Sequence, residues 1–378
     1  MTEARRVLVL GSLAESLVNF RGDLLRALTD AGHEVIAAAP AGPAWVDEVL
    51  AQWGVRRVVL PLRRTGTNPV QDLAFLRALL RLMYAERPYA LLAYTVKPVI
   101  YGLIAAHVAG VPRRVALITG LGFSFLEARS AAQSVLQRAV RWLYRRALRG
   151  ADVVLFQNRD DEEVFRSCGL LRPRQDVRLV AGSGVNLERY GARPLPAGPR
   201  RFLLIARLLI DKGIQEYIDA AARLHAVRRR VSCELIGPEE DHPAAIPARQ
   251  IEQAAQSGAI VYHGAVRDVR PYLAAAHVYV LPSYREGTPR TVLEAMAIGR
   301  PIITTDAPGC RETVVNGRNG VLVPVADSDA LFREMLRFAD MDEAELDRMG
   351  AASREIAEAK FDVRKVNAAI IAALALDA

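Results

Sequence analysis

Short apolar runs alternate with longer amphipathic segments along most of the chain. Continuous apolar runs of this kind are typical of parallel strands buried on both faces, and the periodic segments between them suit crossover helices. Helices are predicted over Asp72–Ala85 and Val99–Ala109. The strands predicted in the first half are Arg5–Leu10, Glu34–Ala39, Arg56–Leu60, Ala90–Tyr94, Arg114–Ile118 and Asp152–Phe156. This alternation predicts an α/β fold with a doubly wound parallel sheet.

A second alternating series follows the segment Gly191–Pro199, whose proline and glycine content indicates a linker. Its strands are predicted to begin near Phe202, Ser232, Ala259, Val278, Pro301 and Val321. The tail Phe361–Leu376 has a helical pattern. We therefore predict two doubly wound domains, residues 1–192 and 201–360, joined by a linker at 193–200 and followed by a C-terminal helix at 361–378.

Two carboxylates, Glu286 and Glu294, lie around a turn that follows the predicted strand Val278–Leu281 and opens a helix. Backbone N–H groups of such a turn bind anions, and phosphates in particular. Glu286 is predicted in the loop at the strand end and Glu294 about two helical turns in, where it can accept hydrogen bonds from sugar hydroxyls. The pattern predicts a nucleotide-sugar pocket. A helix-capping charge and a solvated helix face form the alternative interpretation.

A second candidate loop, Ile205–Gly213, follows the predicted strand Phe202–Ala206 and carries Arg207 and Lys212. Two cations at the end of a buried strand suit a diphosphate. The alternative is an ordinary basic loop, which the neighbouring glutamate segment makes less favourable.

With these motifs in this order, the carboxyl half resembles the retaining glycosyltransferases of family 4. The matching segments are Arg207 with Lys212, Gly237-Pro238, His263–Arg267, Glu286–Glu294 and Thr305–Glu312. The resemblance implies the GT-B fold, in which two Rossmann-like domains face a central cleft. It also implies that the C-terminal helix at 361–378 packs back on the first domain. It implies catalytic roles for Arg207, Lys212 and Glu286. The implied donor-binding residues are Arg207, Lys212, Gly237, Val266, Arg267, Glu286, Gly287, Thr288, Pro289, Arg290, Thr291 and Glu294.

The amino half is similar to polyprenyl-diphosphate-glycan N-acetylgalactosaminyltransferases of bacterial N-glycan, O-antigen and capsule assembly. The matching segments are Asn19–Arg21, Arg64–Pro69, Lys97, Thr119–Gly122 and Ser183–Leu187. Many members of family 4 carry a histidine where this chain has Thr119-Gly120, so no general base is assigned. The acceptor-binding residues predicted here are Gly11, Ser12, Arg21, Lys97, Thr119 and Gly120. For Gly11 the alternative is a simple turn, and for Lys97 it is a surface lysine.

The formal net charge of +8 is concentrated in part in the segment Gln133–Arg149, which has no acidic residue. Its arginines recur at helical spacing beside apolar positions, and Trp142 and Tyr144 add rings of the kind found at a lipid headgroup boundary. The segment predicts docking to an anionic membrane surface. The alternative is a domain helix with a solvated basic face. No recognition motif accompanies the charge, so a nucleic-acid partner is not expected.

Other features narrow the location and the chemistry. Three cysteines, at 168, 233 and 310, show no metal or disulfide spacing, and no apolar run approaches the length of a membrane span. A cytoplasmic enzyme, peripheral on the inner face of the bacterial membrane, is expected. No metal or other cofactor is expected, because no Asp-X-Asp segment falls in the donor loops and Asp160-Asp161 suits a helix start.

The resemblance implies transfer of an N-acetylhexosamine, such as N-acetylgalactosamine, from a UDP-sugar to an undecaprenyl-diphosphate-linked glycan, with retention of configuration. Two alternatives stay open: a UDP-sugar epimerase of the same fold, and a non-catalytic membrane scaffold that binds nucleotide sugar. An oxidoreductase is disfavoured, because Gly11 lacks the further glycines of a dinucleotide fingerprint.

Overall fold

The computed structural model describes residues 4–63, 68–121, 125, 131–228 and 230–376 of the 378-residue chain. Its internal contacts divide the chain into two compact units. Unit 1 comprises the chain up to Ser183 and the residues from Arg364 onward, and unit 2 comprises Gly184–Val363. The chain therefore passes between the units twice.

Unit 1 is built on a parallel sheet of seven strands in the described residues. The strands are β1 Arg6–Leu10, β2 Glu34–Ala39, β3 Arg56–Val59, β4 Ala90–Tyr94, β5 Arg113–Ile118, β6 Val153–Phe156 and β7 Asp176–Leu179. Their order across the sheet is β3-β2-β1-β4-β5-β6-β7. The direction of winding changes between β1 and β4, which is where open α/β sheets bind their ligands.

Helices cover both faces of this sheet. They are α1 Ala14–Asn19, α2 Gly22–Asp30, α3 Ala44–Gln52, α4 Pro69–Glu86, α5 Val96–Val108, α6 Ala131–Leu148 and α7 Arg159–Ser167. Neighbouring residues of β1 point to opposite sides, so Leu8 belongs to one apolar cluster and Val9 to another. Burial on both faces explains why the strands are continuous apolar runs.

Unit 2 repeats this plan with six parallel strands in the order β10-β9-β8-β11-β12-β13. The strands are β8 Arg200–Ile205, β9 Val231–Ile236, β10 Val261–Tyr262, β11 Val278–Leu281, β12 Ile302–Thr305 and β13 Gly320–Val323. The helices are α8 Ile214–Val227, α9 Ala248–Gln256, α10 Arg270–Ala275, α11 Arg290–Ile298, α12 Ser328–Asp340, α13 Glu343–Ile356 and, mostly in unit 1, α14 Val363–Leu374. Winding changes direction between β8 and β11.

The predicted doubly wound architecture is confirmed in both units. The sequence pattern missed β7, because this edge strand, Asp176–Leu179, is largely exposed and lacks an apolar run. The fifth strand of the second series, Ile302–Thr305, begins one residue after its predicted start, and the third, Val261–Tyr262, begins two residues after it.

The chain passes into unit 2 after Ser183, earlier than the predicted boundary at residue 192. The intervening segment already belongs to unit 2, because Val185 forms a β-bridge with Asp362 and the Arg193 N–H donates to the Ile298 carbonyl. The guanidinium of the fully buried Arg300 donates to the carbonyls of Arg193 and Pro194. The first residues of the predicted linker are therefore tied to unit 2 by one backbone hydrogen bond and by the Arg300 side chain.

The C-terminal helix α14 returns to unit 1 after Val363. Its apolar side chains join the cluster that contains Val7 and Val9 of β1. The contributing residues are Val366, Ile370, Ala373 and Leu374 of the helix, with Leu376 just after it. A hydrogen bond from the Arg113 guanidinium to the Ala373 carbonyl fixes the end of the helix.

Candidate active site

The loop after β8 places two cations at the carboxyl end of the unit 2 sheet. Arg207 follows the strand, a single 3-10 turn spans Ile210–Lys212, and α8 starts after Gly213. A side chain at Gly213 would clash, since a Cβ atom there would lie 2.1 Å from the carbonyl oxygen of Pro282. Glycine therefore allows the loop that carries Lys212 to pack against the end of β11.

Lys212 and Glu286, which the sequence motifs predicted separately, form an ion pair. The Lys212 Nζ atom lies 2.6 Å from Glu286 Oε1, and the Ser283 hydroxyl donates to the same oxygen at 2.8 Å. Both charged side chains are mostly buried. The carboxylate thereby holds the ammonium group at the switch point of the sheet, while Lys212 keeps donor capacity for a further oxygen ligand.

The Glu286 loop is fixed by neighbouring backbone on two sides. On one side, the Tyr284 N–H donates to the Asp211 carbonyl at 2.8 Å. On the other, the Glu286 N–H donates to the Pro308 carbonyl at 2.9 Å. A Cβ atom at Gly309 would lie 2.2 Å from the Glu286 carbonyl oxygen, so only glycine permits this approach. Ser283 and Gly309 were not predicted as site residues, although Gly309 lies in the Thr305–Glu312 motif.

Helix α11 begins at Arg290 and carries Glu294 one turn after its start, not two turns as predicted. Proline at 289 is the N-cap residue, and no side chain caps the helix. The Glu294 carboxylate is 6% exposed and accepts a hydrogen bond from Arg290 Nε at 2.9 Å. Burial, together with the nearby Glu294 carboxylate, raises the pKa of Tyr190, a buried residue that the sequence did not single out.

The other predicted donor-binding residues follow neighbouring strands of the same sheet. Gly237 follows β9, and a Cβ atom there would lie 1.8 Å from the Ala206 carbonyl oxygen, so the ends of β8 and β9 meet closely. The Gly237 N–H donates to the Gly264 carbonyl. Val266 is half-buried and Arg267 exposed in the loop after β10. The residues Gly287, Thr288, Pro289, Arg290 and Thr291 connect Glu286 to the first turn of α11.

Arg207 differs from Lys212 in its surroundings. Its guanidinium is 43% exposed and lies 3.8 Å from the Glu240 carboxylate. An ion pair of this length at the surface is weak, so the guanidinium stays available to an anionic ligand. His263, in contrast, has its Nε2 atom 3.2 Å from a Glu234 carboxylate oxygen and its ring against Tyr272.

In unit 1, four of the predicted acceptor-binding residues follow strand ends. Gly11 and Ser12 follow β1, and Thr119 and Gly120 follow β5. Arg21 is 2% exposed, donates to the Ser183 hydroxyl and lies over the Tyr94 ring. Residues 64–67 of the Arg64–Pro69 motif, and Gly122 of Thr119–Gly122, lie outside the described residues.

Lys97 is not a free surface lysine. Its Nζ atom lies 2.7 Å from Asp72 Oδ1, and the Tyr101 hydroxyl donates to Asp72 Oδ2 at 2.9 Å. Lys97 and Asp72 side chains are both mostly buried. This ion pair joins α4 to the first turn of α5, near the end of β4.

The basic segment Gln133–Arg149 forms most of α6, but one of its predicted headgroup rings is in the core. Tyr144 is buried against Phe165, because its position falls on the helix face that meets the sheet layer. Trp142 and Val135 are each 59% exposed on the other side. In the part of the chain that the structure describes, no helix combines the length and apolar character needed to cross a bilayer.

Two doubly wound parallel sheets, with a lysine–glutamate pair and a helix start at the switch point of the second, define a GT-B glycosyltransferase fold. The glycosyltransferase 4-like domain matches residues 19–183, and the glycosyl transferases group 1 family matches residues 199–341. The chain belongs to these glycosyltransferases.

One relative by sequence and two solved structures of similar fold accompany this assignment. The chain is 26% identical over 329 residues to the N,N'-diacetylbacillosaminyl-diphospho-undecaprenol alpha-1,3-N-acetylgalactosaminyltransferase of Campylobacter jejuni, covering 84% of each chain. Its fold is similar to sucrose-phosphate synthase from Thermosynechococcus elongatus, with a TM-score of 0.79, 20% identity and 97% and 98% of the two chains covered. HepE from Anabaena, solved with UDP and glucose, gives a TM-score of 0.75 at 19% identity, covering 98% and 99%.

Proposed function

We propose that the protein is a retaining glycosyltransferase that moves N-acetylgalactosamine or another N-acetylhexosamine from a UDP-sugar to an undecaprenyl-diphosphate-linked glycan. The observation that carries this proposal is the Lys212–Glu286 pair beside the start of α11. The activity for which the Campylobacter relative is named supports the acceptor and the sugar. The product would serve glycoprotein or surface polysaccharide assembly.

In this proposal the donor diphosphate binds at the end of β8. Arg207 and Lys212 supply positive charge, and N–H groups at the start of α11 supply further donors. Glu294 accepts hydrogen bonds from the ribose hydroxyls, Glu286 binds the sugar ring, and Val266 and Arg267 lie beside the base. Donor binding adds an oxygen ligand to the Lys212 ammonium, which Glu286 already holds in place with the help of a hydrogen bond from Ser283 to Glu286.

The transfer breaks the bond between the sugar C1 atom and a β-phosphate oxygen, and the bonding electrons leave with UDP. The acceptor hydroxyl oxygen forms the new bond to C1, and its proton passes to the departing phosphate oxygen. Negative charge grows on the diphosphate as the bond breaks, so Lys212 and Arg207 stabilise the transition state more than the bound donor. These groups need no metal ion, and we propose that the enzyme uses none.

We also propose that the enzyme is peripheral on the inner face of the cytoplasmic membrane, docked through α6. Trp142 and Val135 are exposed on this helix, and Arg138 and Arg146 are exposed beside them. An aromatic ring and arginines on one face match the chemistry of an anionic lipid surface. Docking there would bring the enzyme to an acceptor whose lipid stays in the bilayer.

The test incubates the purified protein with a short-chain polyprenyl-diphosphate glycan and a panel of nucleotide sugars, with and without EDTA. We expect one N-acetylhexosamine to be added to the lipid-linked glycan from one UDP-sugar, at the same rate in EDTA. Conversion of the UDP-sugar without acceptor would instead show an epimerase. Binding of the UDP-sugar without turnover, with every acceptor tried, would show a scaffold.

A further inference from the structure

Thr95 has a backbone conformation that side chains almost never adopt. It follows β4, and its φ and ψ angles are 69° and 163°. This region is essentially restricted to glycine, and a β-branched residue there is strained. Glycine at this position would form the same turn without the strain. The threonine side chain therefore has to contribute something that glycine would not.

Among the residues that the structure describes, no hydrogen bond of the Thr95 side chain explains why a threonine occupies this position. The Thr95 Oγ1 atom is buried and has no hydrogen-bond partner. The residue occupies the N-cap position of α5, yet its hydroxyl accepts no capping hydrogen bond. A buried polar group without a partner is itself destabilising, so Thr95 combines two unfavourable features. Such features concentrate at functional sites.

The position of Thr95 is the place where a sheet of this kind binds its ligand. Leu10 of β1 pairs with Ala93 of β4, so Ser12 and Thr95 occupy equivalent positions just past the ends of these adjacent strands. The winding of the sheet changes direction between the same two strands. Ser12 is 8% exposed. Two hydroxyl side chains thus follow the two strands that flank the switch point.

A positive charge is built into the turn that follows. Lys97, two residues after Thr95, is held by Asp72, and Asp72 is held in turn by the Tyr101 hydroxyl. Burial raises the pKa of Tyr101, and the adjacent Asp72 carboxylate raises it further. The Tyr101 hydroxyl therefore stays protonated and donates its hydrogen bond to Asp72. The ammonium of Lys97 is therefore fixed in place without losing all of its donor positions.

We infer that the Thr95 hydroxyl is an acceptor-binding group that hydrogen-bonds a phosphate or sugar oxygen of the lipid-linked glycan, beside Ser12 and Lys97. The inference rests on the proposed function, since it assigns a residue to the acceptor site of that reaction. The structure shields the Thr95 Oγ1 atom from solvent. Acceptor binding therefore includes a local rearrangement at the ends of β1 and β4 that uncovers it.

Three substitutions at Thr95 distinguish the effect of its hydroxyl group from the effect of its strained backbone. Thr95→Val keeps the branched side chain but removes the hydroxyl, and we expect the KM for the acceptor to rise about tenfold, as for loss of one hydrogen bond to a charged group. Thr95→Ser keeps the hydroxyl and should stay close to wild type. Thr95→Gly should raise the melting temperature while weakening acceptor binding. The KM for the UDP-sugar should be unchanged in all three.

Arg87→Gly is the matched control, because Arg87 is also a non-glycine residue with positive φ in unit 1, at the exposed end of α4. It should be stable and have wild-type KM values. The inference would be overturned if Thr95→Val had the same KM for the acceptor as the wild type. It would also be overturned if all three Thr95 variants lost stability and donor binding to the same extent. Absence of lipid-linked product from the wild-type enzyme would instead contradict the proposed function.

Discussion

Lys212 lies in the loop after β8 and Glu294 in helix α11, and in the proposed reaction they act at different stages. The Lys212 ammonium is held by Glu286 at the place where the proposal puts the diphosphate, which gains charge during transfer. The Glu294 carboxylate is buried at the first turn of α11, suited to neutral hydroxyls that do not change during the reaction. One residue should therefore affect the rate and the other the affinity.

Lys212→Ala should lower kcat by about a hundredfold or more, the effect of removing one preorganised charge-stabilising group. Glu294→Ala should raise the KM for the UDP-sugar about tenfold, with a smaller change in kcat. Steady-state kinetics with the lipid-linked acceptor measures both. Wild-type kinetics in both variants would contradict the site assignment. Glu334→Ala, a surface carboxylate on α12, is the control.

Residue types and their order were sufficient to predict that Arg207, Lys212, Glu286 and Glu294 lie at the carboxyl end of one sheet, because loops after buried parallel strands meet at that edge. The pairing between Lys212 and Glu286 was not predictable, since it depends on Ser283 and on the close approach of two loops. The backbone conformation of Thr95 was not predictable either, because the pattern gives no backbone dihedral angles.

At the scale of elements, one glycine links the Glu286 loop to the loop after β12. Gly309 has φ of 81°, and its Cα atom approaches the Glu286 and Gly287 carbonyls too closely for any side chain. Gly317 has nearly the same φ of 79°, but a Cβ atom there would meet nothing within 4 Å. Substitutions at these two glycines therefore distinguish the effect of backbone strain, common to both, from the effect of contact with the Glu286 loop, which only Gly309 makes.

Gly309→Ala should lose most transfer activity, because the new methyl group displaces the Glu286 loop. Gly317→Ala should lose only about 1 kcal/mol of folding stability, the usual effect of alanine at positive φ, and keep its activity. Thermal unfolding and transfer assays on both variants provide the comparison. Equal activity in the two would show that the loop contact does not hold the site.

Helix α6 was predicted correctly as an element and incorrectly in part of its exposed face. Helical spacing identifies the stripe that meets the sheet only when the neighbouring layers are known, and Tyr144 falls on that stripe. Strand β7 was missed for the related reason that an exposed edge strand carries little apolar signal.

The exposed face of α6 makes a testable prediction about membranes. Arg138→Glu with Arg146→Glu should weaken binding to vesicles that contain anionic lipid by at least tenfold, since each basic residue near such a surface contributes about 1 kcal/mol. Cosedimentation measures the bound fraction. Arg249→Glu with Arg348→Glu, the same charge change on exposed residues of unit 2, is the control and should bind as wild type. Equal binding by both variants would contradict docking through α6.

At the scale of the whole molecule, each unit has its own core, and the C-terminal helix belongs to the core of unit 1. Ile370 and Leu374 are fully buried there. Leu331 of α12 is fully buried in the core of unit 2. Replacing core residues in one unit should therefore leave ligand binding by the other unit largely intact.

Ile370→Ala with Leu374→Ala should destabilise unit 1 by roughly 4 kcal/mol or more, given about 2–5 kcal/mol for each truncated side chain. Transfer should be lost while UDP binding, measured by calorimetry, is retained. Leu331→Ala is the reciprocal variant and should weaken UDP binding instead. Loss of UDP binding in both variants would show that donor binding requires an intact unit 1.

The most direct test of glycosyl transfer is the mass of the lipid-linked glycan after incubation with wild-type enzyme and a single UDP-N-acetylhexosamine, with the Lys212→Ala variant run in parallel. We expect one added N-acetylhexosamine with the wild type and little or none with the variant in the same time. An unchanged acceptor mass with the wild type, while the UDP-sugar is consumed or converted, would contradict glycosyl transfer to this acceptor.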